Sequence, residues 1–557
     1  MMFNNIPYGL KNDNVSVHLG DNEFTYKYLD AVRVMWKSEG VKNENILMRN
    51  DIPTQVSFDE KREKCVIKTG GSPEGILLDF GVEIHGSVQL FIKQIPAGHK
   101  IRVRFGESAM EAMAEPGYKN AGNDHIRRDN TYDAGFLSMP IFGPSGFRFV
   151  RIDLVEPNST MVLETVKAIC TYRDIPYIGS FESNDELLNK IWKTCAYTVH
   201  LNMQEFLWDG IKRDRLVWIG DMHPEMSVIQ AVFGNNECVP KSLDLARDTA
   251  PLPSFMNNIP AYSLWWLMIQ YSWYMHYGNY NYLLQQREYM IGLADMLCGL
   301  IDENGCEMFS NKFIDWPSNG NISAMHEGLQ ALMYMSLSHA AYLLDLLDAK
   351  DTAVKCTTAA KLMRNHKITT LCGYKQSAAL LGLSGLITPE MANETIKHNG
   401  AEGLSTFLGY YTLKAQALAG DINGALGNIR TYWGAMLDRG ATTFWEDFNM
   451  QWLDGSGRID ELVPDGVKDL HGDYGAFCYE GFRHSLCHGW SSGPAAFMAT
   501  EVLGIKPTAP GFSKYEITPK LGDLEFVHGT YPTKDGYIEV THEKSKDGKI
   551  NSIVKVY

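Results

Sequence analysis

The period of the hydrophobic pattern changes twice along this chain and divides it into three parts. Apolar and polar residues alternate from about residue 47 to 176, a helical spacing follows from residue 183 to about 503, and alternation then returns. A period of two is typical of half-buried strands, and a period of 3.6 is typical of helices. We therefore predict an N-terminal β-sandwich, a long helical region and a small C-terminal β domain.

The two outer parts carry the signals of antiparallel sheets. KIRVRFGE and VRIDL show the N-terminal alternation, and Gly- and Pro-rich stretches at 70–75, 95–100 and 142–146 are predicted as turns between strands. Near the C-terminus, YIEV and SIVKVY are strand-like, and the hairpin-turn dipeptides Asp535-Gly536 and Asp547-Gly548 precede them. We assign a jelly-roll-like sandwich to 1–179 and a β domain to 504–557.

The middle part, 180–503, is predicted to be all-helical. Ser183 and Glu186 have the spacing of a capping box, which indicates that the first helix begins there. Long apolar stretches follow, broken by pairs such as Gly420-Asp421 that suit turns between helices. Several of these helices look apolar on more than one face, as buried inner helices of a two-layer assembly would be.

Charge and composition narrow the choice of partners. The 557 residues carry 51 Lys and Arg against 66 Asp and Glu, a net charge of -15, and no Lys/Arg-rich tract occurs. This pattern argues against nucleic-acid binding and favours a neutral or cationic small ligand. Residues 1–17 lack a cationic segment followed by an apolar one, and no apolar run of 18 residues occurs, so we expect a cytoplasmic protein without membrane contact.

Motifs for metals and cofactors are missing from the sequence. The ten cysteines form no CxxC pair, which predicts reduced, mostly buried thiols that pack the core and neither a disulfide framework nor a zinc site. GxGxxG, GxxxxGK[ST] and HExxH are also missing. We therefore expect neither a cofactor nor a metal.

The segment DGIKRDRLVWIGDMHPE, residues 209–225, combines acids, two arginines, a histidine and a tryptophan. Asp209, Asp214 and Asp221 are interleaved with apolar residues, so acids, cations and a large ring are expected to share a partly buried surface. Buried acids need partners or shifted pKa values, and both conditions favour acid/base chemistry. We predict that this segment contains the active site.

Two structural interpretations of this segment stay open on residue types alone. Asp209 and Asp221 can pair with Lys212, Arg213 and Arg215 in a salt-bridge network. A tryptophan taken alone is more often a core ring than a platform for a ligand.

A second segment, GATTFWEDFNMQW at 440–452, sets acids among rings. Glu446 and Asp447 lie between Trp445 and Phe448. Rings can stack on the apolar face of a sugar while carboxylates bind its hydroxyls, although a loop acid beside core aromatics is the simpler alternative. A glycosidase with two catalytic carboxylates needs two such segments, because acid and base approach opposite sides of one bond.

Two further segments are predicted as loops that carry ligand contacts. FIDWPSNGN at 313–321 contains Asp315 and Trp316, and SLCHGWSSGP at 485–494 contains His488 and Trp490. Loops rich in Gly, Ser and Pro often hold binding residues. For His488, a hydrogen-bonded structural histidine is an equally good interpretation.

These motifs together resemble the α-L-rhamnosidases of glycoside hydrolase family 78. The family signature has an Asp, then an Arg followed directly by an acid, then Trp-x-Gly-Asp. GATTFWEDF is similar to the family's Thr-Thr-x-Trp-Glu motif, and SLCHGWSSG is similar to its Ser-Leu-x-His segment. The positions that match the signature are Asp209, Arg213, Asp214, Trp218, Gly220 and Asp221.

The resemblance implies a fold and a set of roles. The family combines a β-sandwich, an (α/α)6 barrel and a small C-terminal β domain, and it is described as inverting. By this resemblance Asp214 would be the general acid and Glu446 the general base, with carboxyl groups ~6.5 to 9.5 Å apart. The remaining implied roles are substrate binding or tuning of the acid by Asp209, Arg213 and Asp221, and shaping of the sugar pocket, including a contact for the C6 methyl, by Trp218, Trp316, Trp445 and His488.

One position departs from the family pattern. Many relatives carry Glu where this chain has Asp214, and the shorter side chain moves the carboxyl back by about 1.5 Å. A displacement of this size can cost about 10²-fold in rate unless the backbone approaches more closely. Asp209 and Asp221 therefore stay open as alternative proton donors.

We predict an inverting exo-α-L-rhamnosidase that acts on short rhamnosides, with substrate contacts at Asp315 and Trp490 added to the residues above. The expected partner is a small glycoside, and a homodimer is one possible assembly. A hydrolase of another glycoside, such as an L-mannoside or a uronic-acid disaccharide, is the first alternative, because Arg213 and Arg215 suit a uronate. A carbohydrate-binding protein without catalysis is the second.

Overall fold

A computed structural model describes residues 3–10, 16–18, 23–51, 55–57, 61–368 and 371–557 of the protein. The expectation drawn from residues 1–17 falls partly outside the described residues. The strands are β1 Ser16–His18, β2 Phe24–Asp30, β3 Arg33–Lys37, β4 Val41–Lys42, β5 Cys65–Lys68, β6 Glu74–Gln94, β7 Lys100–Gly106, β8 Asp129–Asp133, β9 Ile141–Leu154, β10 Thr160–Arg173, β11 Ser180–Ser183, β12 Ser456–Gly457, β13 Lys468–Asp469, β14 Ile505–Ala509, β15 Lys514–Ile517, β16 Phe526–Pro532, β17 Tyr537–Lys544 and β18 Ile550–Val556.

The helices are concentrated between β11 and β14, as the change of period predicts. They are α1 Ala109–Met113, α2 Glu186–Asn202, α3 Ile219–Val232, α4 Cys238–Thr249, α5 Pro260–Tyr277, α6 Tyr280–Gln285, α7 Arg287–Cys298, α8 Ile322–Leu346, α9 Lys350–Asn365, α10 Lys375–Ser384, α11 Pro389–Lys397, α12 Gly409–Leu418, α13 Ile422–Asn428, α14 Gly434–Asp438 and α15 Gly493–Phe497.

The N-terminal strands form one ten-stranded antiparallel sheet. Its main path runs β1-β2-β10-β6-β9-β7-β8, while β3, β4 and β5 pair off this path. Alternating inward residues of these strands build a hydrophobic core that also receives Tyr197 and Leu201 of α2. The N-terminal sheet is therefore packed directly against the helical part.

The C-terminal strands form a four-stranded sheet in the order β11-β16-β17-β18. The two predicted dipeptides, Asp535-Gly536 and Asp547-Gly548, lie between β16 and β17 and between β17 and β18, so both hairpin predictions are confirmed. Strand β11 is the first element of the predicted helical part, and it pairs with β16, which is distant in the sequence. The domain boundaries 1–179, 180–503 and 504–557 stay predictions.

Two local predictions are wrong. Residues 142–146 do not form a turn between strands, because they lie inside β9, where the pairing with β6 shifts between Gly86 and Val88. A β-bulge admits Gly and Pro within a strand, which explains the false turn signal. Helix α2 is not capped by Ser183, since Asp185 accepts the N–H groups of Leu187 and Leu188.

The inner helices confirm the prediction drawn from their apolar stretches. All 14 residues of α3 are buried, including its acids, and Gly278 ends α5 in the left-handed conformation. Between α12 and α13, Asp421 caps the second helix where the Gly420-Asp421 pair predicted a break. Among the described residues, no helix is long and apolar enough to span a membrane.

Candidate active site

A cavity of about 160 Å³ opens where the loops after α2, α7 and α14 meet the loop before α15. Its volume corresponds to about five waters, which suits a ligand of the size of one sugar ring. A larger cleft of about 630 Å³ lies against the N-terminal sheet, but Asp30 is the one carboxylate in its described lining. The predicted residues that line the smaller cavity are Asp209, Arg213, Asp214, Trp218, Asp221, Trp316, Glu446, His488 and Trp490.

Asp209 fixes the loop that precedes α3. Its Oδ1 accepts the N–H of Leu216 at 2.9 Å, and its own N–H donates to the Leu216 carbonyl at 3.1 Å. The Asp209 carbonyl accepts the N–H of Gly489 at 2.8 Å, which ties this loop to the segment that carries His488. Burial raises the pKa of the Asp209 carboxyl well above its usual range.

Asp214 lies at the edge of the cavity, where its side chain keeps 16% of its surface exposed. Asp214 and Arg215 both have left-handed backbone conformations, with φ of 51° and 54°. The Asp214 carboxyl contacts Nδ1 of His125 at 2.9 Å, and Arg483 donates to Nε2 of the same ring at 3.0 Å. His125 belongs to the loop before β8, so the N-terminal part of the protein contributes to the site.

Glu446 is buried on the cavity wall and held by two donors. Its Oε1 forms a close ion pair with Arg213, and its Oε2 accepts the N–H of Ser485 at 3.2 Å. The Arg213 guanidinium also lies 4.8 Å above the ring of Tyr479. These contacts hold the carboxylate in one orientation at the cavity.

Asp221, His488 and Tyr262 form a buried network beside Glu446. Nε2 of His488 lies 3.0 Å from Oδ2 of Asp221, and the Tyr262 hydroxyl donates to Oδ1 at 3.3 Å. Nδ1 of His488 lies 3.7 Å from Oε1 of Glu446. Burial lowers the pKa of His488 to about 4 and raises the pKa of Asp221 well above its usual range.

Gly220 permits this network to form at the start of α3. A Cβ atom at position 220 would lie 2.4 Å from the ring of Tyr262, closer than any real contact. The close approach of α3 and α5 therefore requires glycine, which places Asp221 next to Tyr262.

Three tryptophans supply apolar walls. The Trp490 ring stacks on Phe407 at 4.9 Å, and its Nε1 donates to the Glu446 carbonyl at 2.8 Å. Nε1 of Trp316 donates to the Tyr479 hydroxyl at 2.5 Å. Trp218 is half-buried and meets Tyr262 edge to face at 6.0 Å. Indole rings fixed in this way can contact the apolar face of a sugar.

Two predicted substrate contacts lie behind the cavity wall. Asp315 is buried, where it accepts the Ser405 hydroxyl at 2.5 Å and the N–H of Trp316 at 2.8 Å, and burial raises its pKa to about 7. Trp445 is buried against Phe448 and is not among the residues that line the cavity. Both side chains support the residues in front of them.

The cations of the 209–225 segment do not pair with Asp209 or Asp221, as the salt-bridge interpretation of this segment would require. Lys212 pairs with glutamates of the N-terminal part, Arg213 pairs with Glu446, and Arg215 lies over the ring of Trp208. Among the ion pairs of the described residues, neither Asp209 nor Asp221 is joined to these three cations.

Several residues of the site were not predicted. His125 lies in the N-terminal part, and the sequence offers no signal that joins it to Asp214. The further lining residues are Ile259, Tyr262, Phe313, Cys478 and Tyr479. Phe313 is the first residue of the predicted 313–321 segment, and Tyr262 lies in the apolar helix α5, where an aromatic residue is expected in any core.

A family model matches the first part of the helical region. Residues 176–376 match the bacterial alpha-L-rhamnosidase 6 hairpin glycosidase domain, a stretch that contains Asp214 and ends before Glu446. An alpha-L-rhamnosidase of Alteromonas sp. (strain LOR) is 25% identical over 534 residues, which are 86% of this chain and 54% of the relative. The resemblance to the bacterial α-L-rhamnosidases of glycoside hydrolase family 78 is thereby confirmed.

Solved structures show the same fold. The family 78 rhamnosidase of Bacillus sp. GL1 superposes with a TM-score of 0.73 at 20% identity, covering 92% of this chain and 54% of that one. A rhamnosidase from Klebsiella oxytoca with rhamnose bound gives 0.64 at 17% identity, covering 86% of this chain and 96% of that one. The chain thus spans about half the length of the Alteromonas and Bacillus proteins.

Proposed function

We propose that this protein is an inverting exo-α-L-rhamnosidase that releases terminal α-L-rhamnosyl residues from short rhamnosides. One observation carries the proposal: Asp214 and Glu446, distant in the sequence, line one cavity of single-sugar size together with indole rings. The rhamnosidase names of the relatives and the glycosidase profile support the choice of sugar.

Asp214 is the proposed general acid. Its carboxyl is the most exposed among the acids of the cavity and can reach a glycosidic oxygen at the cavity mouth. The contact with His125 holds the shorter side chain in place. Asp209 and Asp221 are poorer candidates, because a backbone N–H and a His488–Tyr262 pair already occupy their oxygens.

Glu446 is the proposed general base. In an inverting reaction an ionised carboxylate takes a proton from water while that water attacks the anomeric carbon from the face opposite the leaving group. Arg213 and the Ser485 N–H orient the Glu446 oxygens for this step. The proton passes to Glu446, and the proton of Asp214 passes to the leaving oxygen, so the two carboxyl groups exchange states in each turnover.

The remaining lining residues bind the sugar in this proposal. A neutral His488 can donate to or accept from ring hydroxyls, and Asp221 orients it. The rings of Trp218, Trp316 and Trp490 offer contacts for the apolar sugar face and the C6 methyl. The cavity is less suited to a uronate, because Arg213 is already paired with Glu446 and Arg215 lies over Trp208.

The other expectations belong to the same proposal. The helices are proposed to close into an (α/α)6 barrel between a sandwich and a C-terminal β domain, and the solved relatives support this arrangement. A cytoplasmic location is supported by the ten free cysteines, six of them buried. A homodimer and a small-glycoside partner complete the proposed assembly.

A panel of aryl glycosides tests the sugar. We expect turnover of the aryl α-L-rhamnoside to exceed that of the α-L-mannoside, which differs by the C6 hydroxyl, and that of an aryl uronide. Equal or faster turnover of a uronide would replace rhamnose with the alternative substrate class. Sugar binding without release from any substrate would support the non-catalytic alternative.

A further inference from the structure

Three metal-binding side chains from separate segments converge beside α8, away from the cavity. Cys306 lies in the loop after α7, His326 is on α8, and His366 follows the last residue of α9. One ligand atom from each residue lies within 4.8 Å of the other two, and all three side chains are half-buried. Cys306 Sγ is 3.8 Å from Nε2 of His326.

A carboxylate orients the central histidine. Nδ1 of His326 lies 2.6 Å from Oε1 of Glu307, so the ring proton belongs on Nδ1 and the Nε2 lone pair points toward Cys306. Glu307 is buried, pairs with Lys312 and accepts the N–H of Phe309 at 2.9 Å. A carboxylate that fixes the far nitrogen of a histidine is the usual outer partner of a zinc ligand.

The loop that carries Cys306 is built to approach α9. Asp302 Oδ1 accepts the N–H groups of Asn304 and Cys306, which closes a tight turn. Gly305 has φ of 77°, and a Cβ there would lie 2.3 Å from the Leu362 carbonyl. Only glycine allows this contact, and the contact brings Cys306 close to His366.

We propose that Cys306, His326 and His366 bind a Zn²⁺ ion, with water in the fourth position. In tetrahedral sites Zn–S and Zn–N bonds of about 2.3 and 2.1 Å place S and N about 3.6 Å apart. The separation of 3.8 Å is close to this value. A thiolate with two imidazoles suits Zn²⁺ and does not suit Mg²⁺ or Ca²⁺, which prefer oxygen ligands.

Binding forms one Zn–S and two Zn–N bonds, while the thiol proton leaves to solvent and waters leave the hydrated ion. The ion then joins the loop after α7 to α8 and to the end of α9. Glu307 extends this link to Lys312, the neighbour of the cavity residue Phe313. The proposed site departs from the expectation of no metal drawn from cysteine spacing, because its ligands meet only through the packing of α8 and α9.

A second group of potential ligands, Glu107, Glu111 and His471, is fully buried and equally compact. Nζ of Lys212 already lies 3.0 Å from Glu107 and 3.3 Å from Glu111. This lysine takes the place of a metal cation, so that group is an internal salt bridge. Among the ion pairs of the described residues, the nearby Lys312 pairs with Glu307, and no Lys or Arg is paired with Cys306, His326 or His366.

Zinc titration of the untagged, chelator-treated chain tests the proposal. We expect one Zn²⁺ per chain by elemental analysis, a rise in Tm on Zn²⁺ addition, and a thiolate-to-cobalt charge-transfer band when Co²⁺ replaces zinc. C306S and H366N should each remove the band and the stoichiometric ion, while E307Q should weaken zinc affinity by about 10- to 100-fold. Cys372→Ser, which alters a half-buried thiol outside the site, is the matched control and should keep both signals.

Wild-type protein that binds no stoichiometric Zn²⁺ would overturn the proposal and leave an ordinary Cys306–His326 hydrogen bond. Retention of the band in both ligand variants would overturn it equally. H366N changes a half-buried residue beyond the end of α9, so it serves as the decisive variant should C306S fail to fold. Circular dichroism establishes folding in each case.

Discussion

Two buried charge clusters lie side by side in this protein. The consecutive residues Lys212 and Arg213 belong to one cluster each. Lys212 enters a closed cluster, where its Nζ contacts Glu107, Glu111 and two backbone carbonyls. Arg213 enters the cavity and pairs with Glu446. Ser485 touches both clusters, since its N–H donates to Glu446 and its hydroxyl to Glu107.

The two clusters differ in whether their buried polar atoms have hydrogen-bond partners within the protein. The Lys212 ammonium has its acceptors within the protein, so it is not available to a ligand. In the cavity, Nε of Arg213 and Nδ1 of His488 are buried without a hydrogen-bond partner. Buried polar groups without partners are costly, and a ligand that supplies the missing partners offsets that cost. At the cavity these two atoms are therefore available to a ligand, whereas the Lys212 ammonium is not.

The largest expected effect is on turnover when the cavity loses its base. Glu446→Gln should lower kcat on an aryl α-L-rhamnoside by about 10²- to 10⁴-fold, because the amide cannot accept a proton from water. Steady-state kinetics and circular dichroism measure the change and the fold. Glu501→Gln, at a buried acid paired with Lys506 and Lys520, is the control and should keep kcat. Near wild-type turnover of Glu446→Gln would remove this residue from the mechanism.

In the closed cluster the large effect should be on stability. Lys212→Met leaves Glu107 and Glu111 buried without their cation, a change that costs about 3–5 kcal/mol of unfolding free energy. Urea denaturation measures this loss, and the folded fraction should keep a kcat within several-fold of wild type. If Lys212→Met abolished turnover in protein that unfolds like wild type, the contrast between the two clusters would be wrong.

The sequence predicts most of the architecture but few of the side-chain positions. Alternation identifies β7 and β17 because one face of each strand is buried, and the apolar stretch of α5 identifies an inner helix. The Gly- and Pro-rich stretch at 142–146 is misleading, since a bulged strand tolerates the residues that turns prefer. The local sequence pattern does not distinguish a turn between strands from a bulge within one strand.

For the site, the sequence identifies the segments that contain its residues, but it does not predict which way their side chains point. Asp214 and Asp315 both lie in segments that combine an acid with a tryptophan, yet one lines the cavity and the other bonds to Ser405 behind the wall. His125 comes from a different part of the chain, so only the tertiary packing brings it to Asp214. Orientation depends on backbone geometry, such as the left-handed φ at Asp214, that composition does not encode.

A smaller effect is expected at the support of the proposed acid. His125→Gln should lower kcat by no more than about 10²-fold, the cost of a displacement of about 1 Å at a catalytic group. KM should change little, because His125 is not among the residues that line the cavity. Asp124→Asn, which changes the exposed acid on the other side of the same ring, is the matched control and should stay close to wild type. Equal losses in both variants would assign the effect to the loop.

The last effect is on the pH dependence of stability and concerns Asp315, the acid behind the wall. Burial raises the pKa of Asp315 to about 7, so its folded form binds a proton more tightly than its unfolded form. Its contribution to stability is therefore present below about pH 4 and is lost as pH rises through about 7. Asp315→Asn should flatten this part of the stability curve in urea titrations. The exposed Asp345→Asn control should leave the curve unchanged, and a wild-type slope in Asp315→Asn would contradict the assignment.

The most direct test of the central claim is NMR of the first sugar released from an aryl α-L-rhamnoside. Inversion by Asp214 and Glu446 predicts β-L-rhamnose as the first anomer, followed by slow mutarotation, and predicts that neither Asp214→Asn nor Glu446→Gln produces this burst at the wild-type rate. Initial release of α-L-rhamnose, or wild-type release by either variant, would contradict the account.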